Sequence, residues 1–233
     1  KQGISFDVYY KAEAWRNLSG GASRGGRALD NLDIKMTVDG EKALSMPGAT
    51  FFAYILNNNG GRINDLTATN GGISNIEAPT HAFKLYELWM QRNFLNDHIS
   101  ILAGLHDLNS EFYVTDTSGL FLNPAGGIGT EAAATSDNGP SIFPVTSLAA
   151  RLAIMPTDNT YVQAAIFDGV PGDPDNPRGT HIEFNDNDGA LLIAEGGIRD
   201  DETGHFAVGA WKYTAQRPDQ LTPALRKHSQ GVY

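Results

Sequence analysis

Hydrophobic side chains recur at every second position through much of this chain. Between residues 3 and 15 the even positions Ile4, Phe6, Val8, Tyr10, Ala12 and Ala14 are apolar. The odd positions Ser5, Asp7, Lys11 and Glu13 are polar, with Tyr9 among them. A strand points successive side chains to opposite faces, so this spacing predicts a strand with one apolar and one wet face. Residues 29–38 repeat it, with Leu32, Ile34, Met36 and Val38 alternating with Asn31, Asp33, Lys35 and Thr37. Further strands are predicted at 50–58, 83–92, 98–107, 146–155, 160–168, 190–199 and 204–214, and a tenth begins near 228. In 83–92, Tyr86, Leu88 and Met90 form the apolar face opposite Glu87, Trp89 and Gln91. Leu148, Ala150, Leu152 and Ile154 lie opposite Ser147, Ala149 and Arg151; Val162, Ala164 and Ile166 face away from Gln163; Leu192, Ala194 and Ile198 face away from Glu195. Most segments run to about ten residues, the length of a tilted membrane-crossing strand. At 50–58 and 204–214 both faces carry apolar residues, which leaves the face assignment open there.

The connections alternate as well. Short turns are predicted at 93–97, 156–159 and 200–203, with a longer one at 39–48. Between them come polar loops at 17–27, 58–82, 108–145, 169–189 and 215–228. Short turns on one side and long loops on the other predict an all-β, antiparallel transmembrane β-barrel of the outer-membrane porin type. A soluble sandwich would mix its loop lengths. A sheet that spans a membrane must close, because an open edge leaves backbone groups unpaired in lipid. The nine to ten strands read as a single barrel domain, 1–233, from which closing C-terminal strands are expected to be missing.

Composition narrows the class. The hydrophobic share of 41% would pass for a soluble protein, and Gly 26 suits a β protein rich in turns. Apolar stretches such as 191–194 are far too short for a membrane helix of ~20 residues. Net charge is −10, from 27 acidic against 17 basic residues, which argues against a nucleic-acid partner. There is no cysteine, so disulfides and Cys-based zinc sites are excluded. The chain opens at Lys1 without Met or an apolar leader; a removed signal peptide and a sequence boundary both account for this.

Several segments resemble the carbohydrate-selective porins of the OprB family. They are 74–89 (SNIEAPTHAFKLYELW), 110–122 (SEFYVTDTSGLFL), 151–159 (RLAIMPTDN), 166–174 (IFDGVPGDP), 187–195 (NDGALLIAE) and 228–233 (HSQGVY), in family order along nearly the whole chain. The resemblance implies a 16-stranded barrel in a bacterial outer membrane that passes sugars and similar small polar solutes by diffusion, with inward-folded loops narrowing the pore. In that family the chain continues past the segment matching 228–233. The Gly-, Ala- and Ser-rich stretch 124–142 departs from the pattern, and the pore-narrowing residues there are not assigned.

A porin needs a wet, hydrogen-bonding lumen rather than a catalytic group. On the strand alternation, Asp7, Lys11, Glu13, Asp33, Lys35, Glu87, Arg151 and Glu195 face inward, since Lys or Arg facing lipid would cost ~2–4 kcal/mol at the midplane. Trp89 shares that face and is placed to stack on sugar. Trp15 and Trp211 are expected near strand ends, in an aromatic girdle. Arg24, Arg27 and Arg62 are candidate donors at the pore mouth, against the plainer reading of solvated loop charges. Glu77 and Glu111 lie at loop–strand junctions, where fixing loop geometry and touching solute are equally good readings.

No enzyme motif stands out. Residues 186–195 follow part of a calcium-loop pattern, but Phe184 occupies the obligatory first acidic position, and an Asp/Asn turn before a strand suffices. No hydrolase elbow, zinc helix or phosphate loop is present, so no metal or cofactor is expected. Expected partners are sugars or small polar solutes and outer-membrane lipid, with a homo-oligomer (trimer) and a monomer both open. Two alternatives remain at this point: a structural or adhesion barrel with a plugged lumen, and a soluble β-sandwich that binds glycans.

Overall fold

The computed structural model describes residues 3–79, 81–115, 117–200, 204–219, 221–222 and 224–233. Ten strands form one antiparallel sheet in sequence order: β1 (Ile4–Asn17), β2 (Gly25–Asp39), β3 (Ala49–Gly60), β4 (Ala82–Phe94), β5 (Ile99–His106), β6 (Ser147–Thr157), β7 (Thr160–Asp168), β8 (Ala190–Asp200), β9 (Gly204–Pro218) and β10 (Arg226–Val232). Each strand pairs with its chain neighbours, and β1 and β10 are the two edges. Among the described residues no helix is long and apolar enough to cross a membrane.

One face of the sheet is apolar and bare. Phe6, Val8, Leu88, Ile101, Val162 and Phe206 are all exposed on it. The other face carries the long β5–β6 loop, and is called the inner face below. Of the described inward side chains, Asn31, Asp33, Glu87, Arg151, Gln163 and Glu195 are all buried. Charges and amides therefore gather on one side, as period-two patterning demands.

Three expectations need correction. Loops 17–27 and 215–228 are shorter than expected, because β1 runs to Asn17, β2 starts at Gly25, β9 reaches Pro218 and β10 starts at Arg226. Those added residues are polar or small, yet cross-strand hydrogen bonds hold them in the ladder. Second, the alternation in 83–92 does not run unbroken. Tyr54 faces Glu87 whereas Ile55 faces Leu85, so Tyr86 is the extra residue of a β-bulge. The bulge reverses the phase of β4, so Lys84, Tyr86 and Glu87 are all buried on the inner side. Third, Trp211 does not join a girdle: it is buried against Tyr213 on the inner face. Trp15 lies near the end of β1 as expected, but its indole donates to Glu13, two residues away on the same inward face. The turn expected at 200–203 falls on residues 201–203, outside the described residues.

The short connections keep to one end. A four-residue turn joins β4 to β5, and two residues join β6 to β7. Between β2 and β3 lies α1 (Gly40–Leu44), whose N-terminus is capped by Asp39 accepting from the Lys42 amide at 3.1 Å.

On the inner face Gly197, Gly209 and Gly231 each receive a ring from the neighbouring strand, and Gly104 meets its neighbour's backbone. Trp89 lies opposite Gly104, Tyr161 opposite Gly197, and Trp211 opposite Gly231, while Tyr233 covers Gly209. A ring can lie flat along the sheet only where the facing residue has no side chain. At Gly104, with φ +140°, any Cβ would meet the Leu88 carbonyl and the Trp89 backbone. Gly104→Ala is therefore expected to destabilise the fold by ~2 kcal/mol through backbone strain and displacement of Trp89. Denaturant unfolding in detergent measures it; an unchanged midpoint would contradict the packing described.

Candidate functional site

The β5–β6 loop begins where the sheet's polar residues are densest. Asp107 starts it by accepting from the Asn109 amide at 2.8 Å and from the Tyr86 hydroxyl at 2.6 Å. The loop then crosses the inner face, with α3 (Thr130–Ala133) halfway along. Leu108, Phe112, Ile128 and Ala132 are buried against Phe167, Leu191, Ile193, Trp211 and Tyr213 of β7, β8 and β9. This explains the apolar character of both faces in 204–214: one face is bare, the other is covered by the loop. Burial of each large side chain contributes ~1.5–3 kcal/mol.

Glu111 ties this loop to the sheet. Its carboxylate accepts from Arg151 Nε at 2.8 Å and Nη2 at 2.7 Å, a two-point fork that fixes both partners in one plane. Arg151 also donates to Gln91 Oε1 at 2.7 Å and to Ser100 Oγ at 2.7 Å. His106 bridges two carboxylates, with Nε2 3.2 Å from Glu111 and Nδ1 3.1 Å from Glu87. Glu87 in turn accepts from the Trp89 indole at 3.1 Å and the Asp107 amide at 3.2 Å. Every charge in this group therefore has an opposite charge or a strong donor beside it.

A second carboxylate extends the network. Glu195 accepts from the Tyr113 amide at 2.9 Å and the hydroxyls of Tyr161 and Tyr233, each at 2.8 Å. Gln163 links the two centres, since its amide nitrogen reaches the Glu111 carbonyl at 2.8 Å and Glu195 at 3.1 Å. Toward the short-turn end lies a cavity of about 310 Å³, lined by Glu111, Tyr161, Gln163, Asn159 and Arg199 among others. Its walls offer donors and acceptors together, the mixture that suits a polyhydroxylated solute.

The other sequence candidates scatter around this centre. Lys11 pairs with Asp33 at 2.8 Å, and Asp33 also accepts from Tyr54 at 2.6 Å and from Asn31. Lys35 lies over the Tyr54 ring at 4.7 Å. Trp89 stacks on Phe52, with ring centroids 4.9 Å apart. Glu77 accepts from the Asn64 amide at 3.1 Å at the start of α2 (Asn64–Thr67) and lies 3.6 Å from Arg62. Arg27 lies half-buried on β2, and Arg24 is exposed in the β1–β2 loop. Glu77 and Glu111 thus both fix loop geometry.

Sequence reasoning passed over His106, Tyr161 and Lys84, and gave Gln163 its face but no role. His106 and Tyr161 share the inward parity of their strands, as Gln163 does, and could have been found by carrying that parity through uncharged polar residues. Lys84 could not, because the Tyr86 bulge puts it on the side opposite to its sequence parity. Among the described residues one group has metal-ligand character: Asp173, His181 and Glu183 in the β7–β8 loop bring donor atoms within 4.8 Å of one another. His181 Nε2 already meets the Arg178 carbonyl at 2.7 Å. The calcium-like stretch 186–195 forms a turn instead, with Asn185 donating to Asp188 at 3.0 Å and Glu195 engaged on β8.

Two outcomes follow from this geometry. Arg151→Met leaves the Glu111 carboxylate without its guanidinium and should lower stability by about 3 kcal/mol, as breaking a buried pair does. Arg151→Met combined with Glu111→Gln should lose less than the two single changes together; strict additivity in unfolding experiments would show that the fork is not coupled.

The second outcome concerns pH. Burial, aided by the Glu87 charge, raises Asp107 to about 6 against the opposing hydrogen bonds of Tyr86 and Asn109. Burial would raise Glu111 too, but the hydrogen bonds from His106 and Arg151 outweigh it and hold it down to about 2. Asp107 thus stabilises the fold most below its unfolded value of about 4, and this is lost as pH rises through about 6. The Glu111 contribution is present above about 4.3 and is lost as pH falls toward 2. Unfolding free energy should rise as pH is lowered from 7 to 5, and Asp107→Asn should flatten that rise. A rise of equal size in Asp107→Asn would refute the assignment.

The residue range 23–230 matches the family model described as carbohydrate-selective porin, OprB family. Two solved structures share the fold. The high pH structure of Pseudomonas putida OprB aligns with a TM-score of 0.79 at 18% identity, covering 99% of this chain and 60% of that one. The low pH structure of the same protein aligns with a TM-score of 0.56 at 16% identity, covering 94% of this chain and 60% of that one. This chain therefore spans 60% of the length of the structures it matches. Comparison with curated proteins by sequence gives no match. With the family model covering most of its length and an all-β antiparallel sheet of matching fold, the chain belongs to the carbohydrate-selective porins of the OprB family.

Proposed function

We propose that this chain forms part of an outer-membrane porin through which carbohydrates and similar small polar solutes diffuse passively, in a lumen narrowed by the β5–β6 loop. The observation that carries this reading is the tethered loop itself. It crosses the inner face on the Glu111–Arg151 fork and leaves a polar cavity beside it rather than filling the space. The bare apolar face suits lipid, and a bilayer location would account for its large exposed side chains. In lipid the edges of β1 and β10 need backbone partners, which further strands of a larger barrel would supply.

In this reading Glu111, Tyr161, Gln163 and Arg199 line the passage and exchange hydrogen bonds with sugar hydroxyls, replacing part of the solute's hydration. Lys11, Glu13, Asp33, Lys35, Glu87, Trp89, Arg151 and Glu195 set the shape and charge of the wall. Arg24, Arg27 and Arg62 belong to the loop end, where solutes enter. No bond in the solute is made or broken.

Full-length protein in planar bilayers should give stepwise conductance, and liposomes carrying it should swell in glucose. Freeing the loop by Arg151→Met with Glu111→Ala should raise conductance and weaken the discrimination against larger sugars. Folded protein that passes neither ions nor sugar would refute the pore and leave a plugged barrel.

A further inference from the structure

Among the described residues, three side chains of Lys and Arg are buried: Lys84, Arg151 and Arg217. Arg151 has Glu111 at 2.7 Å, and Arg217 has Asp137 at 3.0 Å. Lys84 has no carboxylate within ion-pair distance among the described residues, although it is only 6% exposed. Its ammonium donates one long hydrogen bond, to the Pro177 carbonyl at 3.3 Å. An ammonium carries three protons, so two of them lack a described protein acceptor. Burial without a counter-charge disfavours the ammonium, so an anion placed in the space beside it would stabilise the charged form.

The surroundings supply space for that partner. Lys84 opens into a cavity of about 390 Å³ where the β3–β4, β5–β6 and β7–β8 loops meet the inner face. Leu56, Pro79, Phe143 and Pro177 give it apolar walls, and Asn138 adds an amide. The volume lies in the range of small-molecule sites and far exceeds what an inorganic anion fills. Walls of this kind suit the C–H face of a sugar ring, while the ammonium suits a carboxylate.

We propose that this cavity binds a monosaccharide bearing a carboxylate, a sugar acid, with the carboxylate on Lys84 and the ring against the apolar walls. The site is separate from the passage lined by Glu111 and Gln163, and it selects by charge where the passage selects by hydroxyl pattern. It rests on the porin reading only in that sugars reach the loops, and binding can be read whether or not the protein conducts.

The test is equilibrium binding of sodium glucuronate to the folded full-length protein in detergent, with glucose as the neutral control. Glucuronate should bind at least about ten-fold more tightly than glucose. Lys84→Met should weaken glucuronate by about ten-fold or more and leave glucose unchanged, while Lys84→Arg should retain most of the affinity. Should Lys84→Met fail to fold, amine labelling of the wild-type protein gives a second reading by mass spectrometry. Glucuronate should then slow modification of Lys84 and glucose should not. No preference for glucuronate, unchanged affinity in folded Lys84→Met, or absence of protection would overturn the proposal. Equal protection by inorganic phosphate would overturn the sugar-acid assignment in favour of a small-anion site.

Discussion

Arg151 holds a permanent charge where little water reaches it, and much of the inner face is arranged to answer that charge. Its own sheet supplies Gln91 and Ser100, neither of which is negative. The carboxylate has to come from elsewhere, and it comes from Glu111 on the β5–β6 loop. Once that fork is closed, the loop's direction is set. Phe112 falls on Phe167 and Leu191, the Tyr113 amide falls on Glu195, and the chain cannot swing away without exposing a charge and an apolar cluster together. An electrostatic requirement thus positions a segment whose bulk is held by hydrophobic burial.

The same division of labour runs through the rest of the sheet. Outward positions hold apolar groups with no protein neighbours above them. Inward positions hold polar groups whose partners arrive from a different element, such as Asp33 from Lys11 and Tyr54, or Glu195 from Tyr161 and Tyr233. The Tyr86 bulge joins these systems. It brings Tyr86 and Glu87 inward side by side, one to Asp107 and one to His106, and it turns Lys84 toward the converging loops. A single inserted residue therefore decides which side of the wall an ammonium occupies.

Much of this was legible in the sequence, because a half-buried strand writes its two faces at period two. The inward placement of Lys11, Asp33, Glu87, Arg151 and Glu195 followed from parity alone, and so did the bare face of β6, β7 and β8. Parity failed where an irregularity intervened, at Lys84 and Tyr86, since nothing local in 82–88 marks a bulge. It was also silent on Trp211: a ring on either face of a doubly apolar strand reads the same, and only the loop packed above distinguishes them. The role of Glu111 as a tether depended on a contact forty positions away at Arg151, which no single-strand pattern contains.

The rings against Gly197, Gly209 and Gly231, and the close backbone approach at Gly104, bear on how the hairpins find their alignment. Sliding one strand by two residues keeps every side chain on its proper face, so the apolar–polar code alone cannot detect the error. These contacts can. Such a slip would set Trp89 against Leu102 or His106 in place of Gly104, and Tyr161 against Glu195 or Arg199 in place of Gly197. Each misfit would lift a ring off the sheet or push the backbones apart, opening the gap between neighbouring strands. These glycines act as keyways, admitting one alignment of each hairpin and rejecting those that the hydrophobic code would accept.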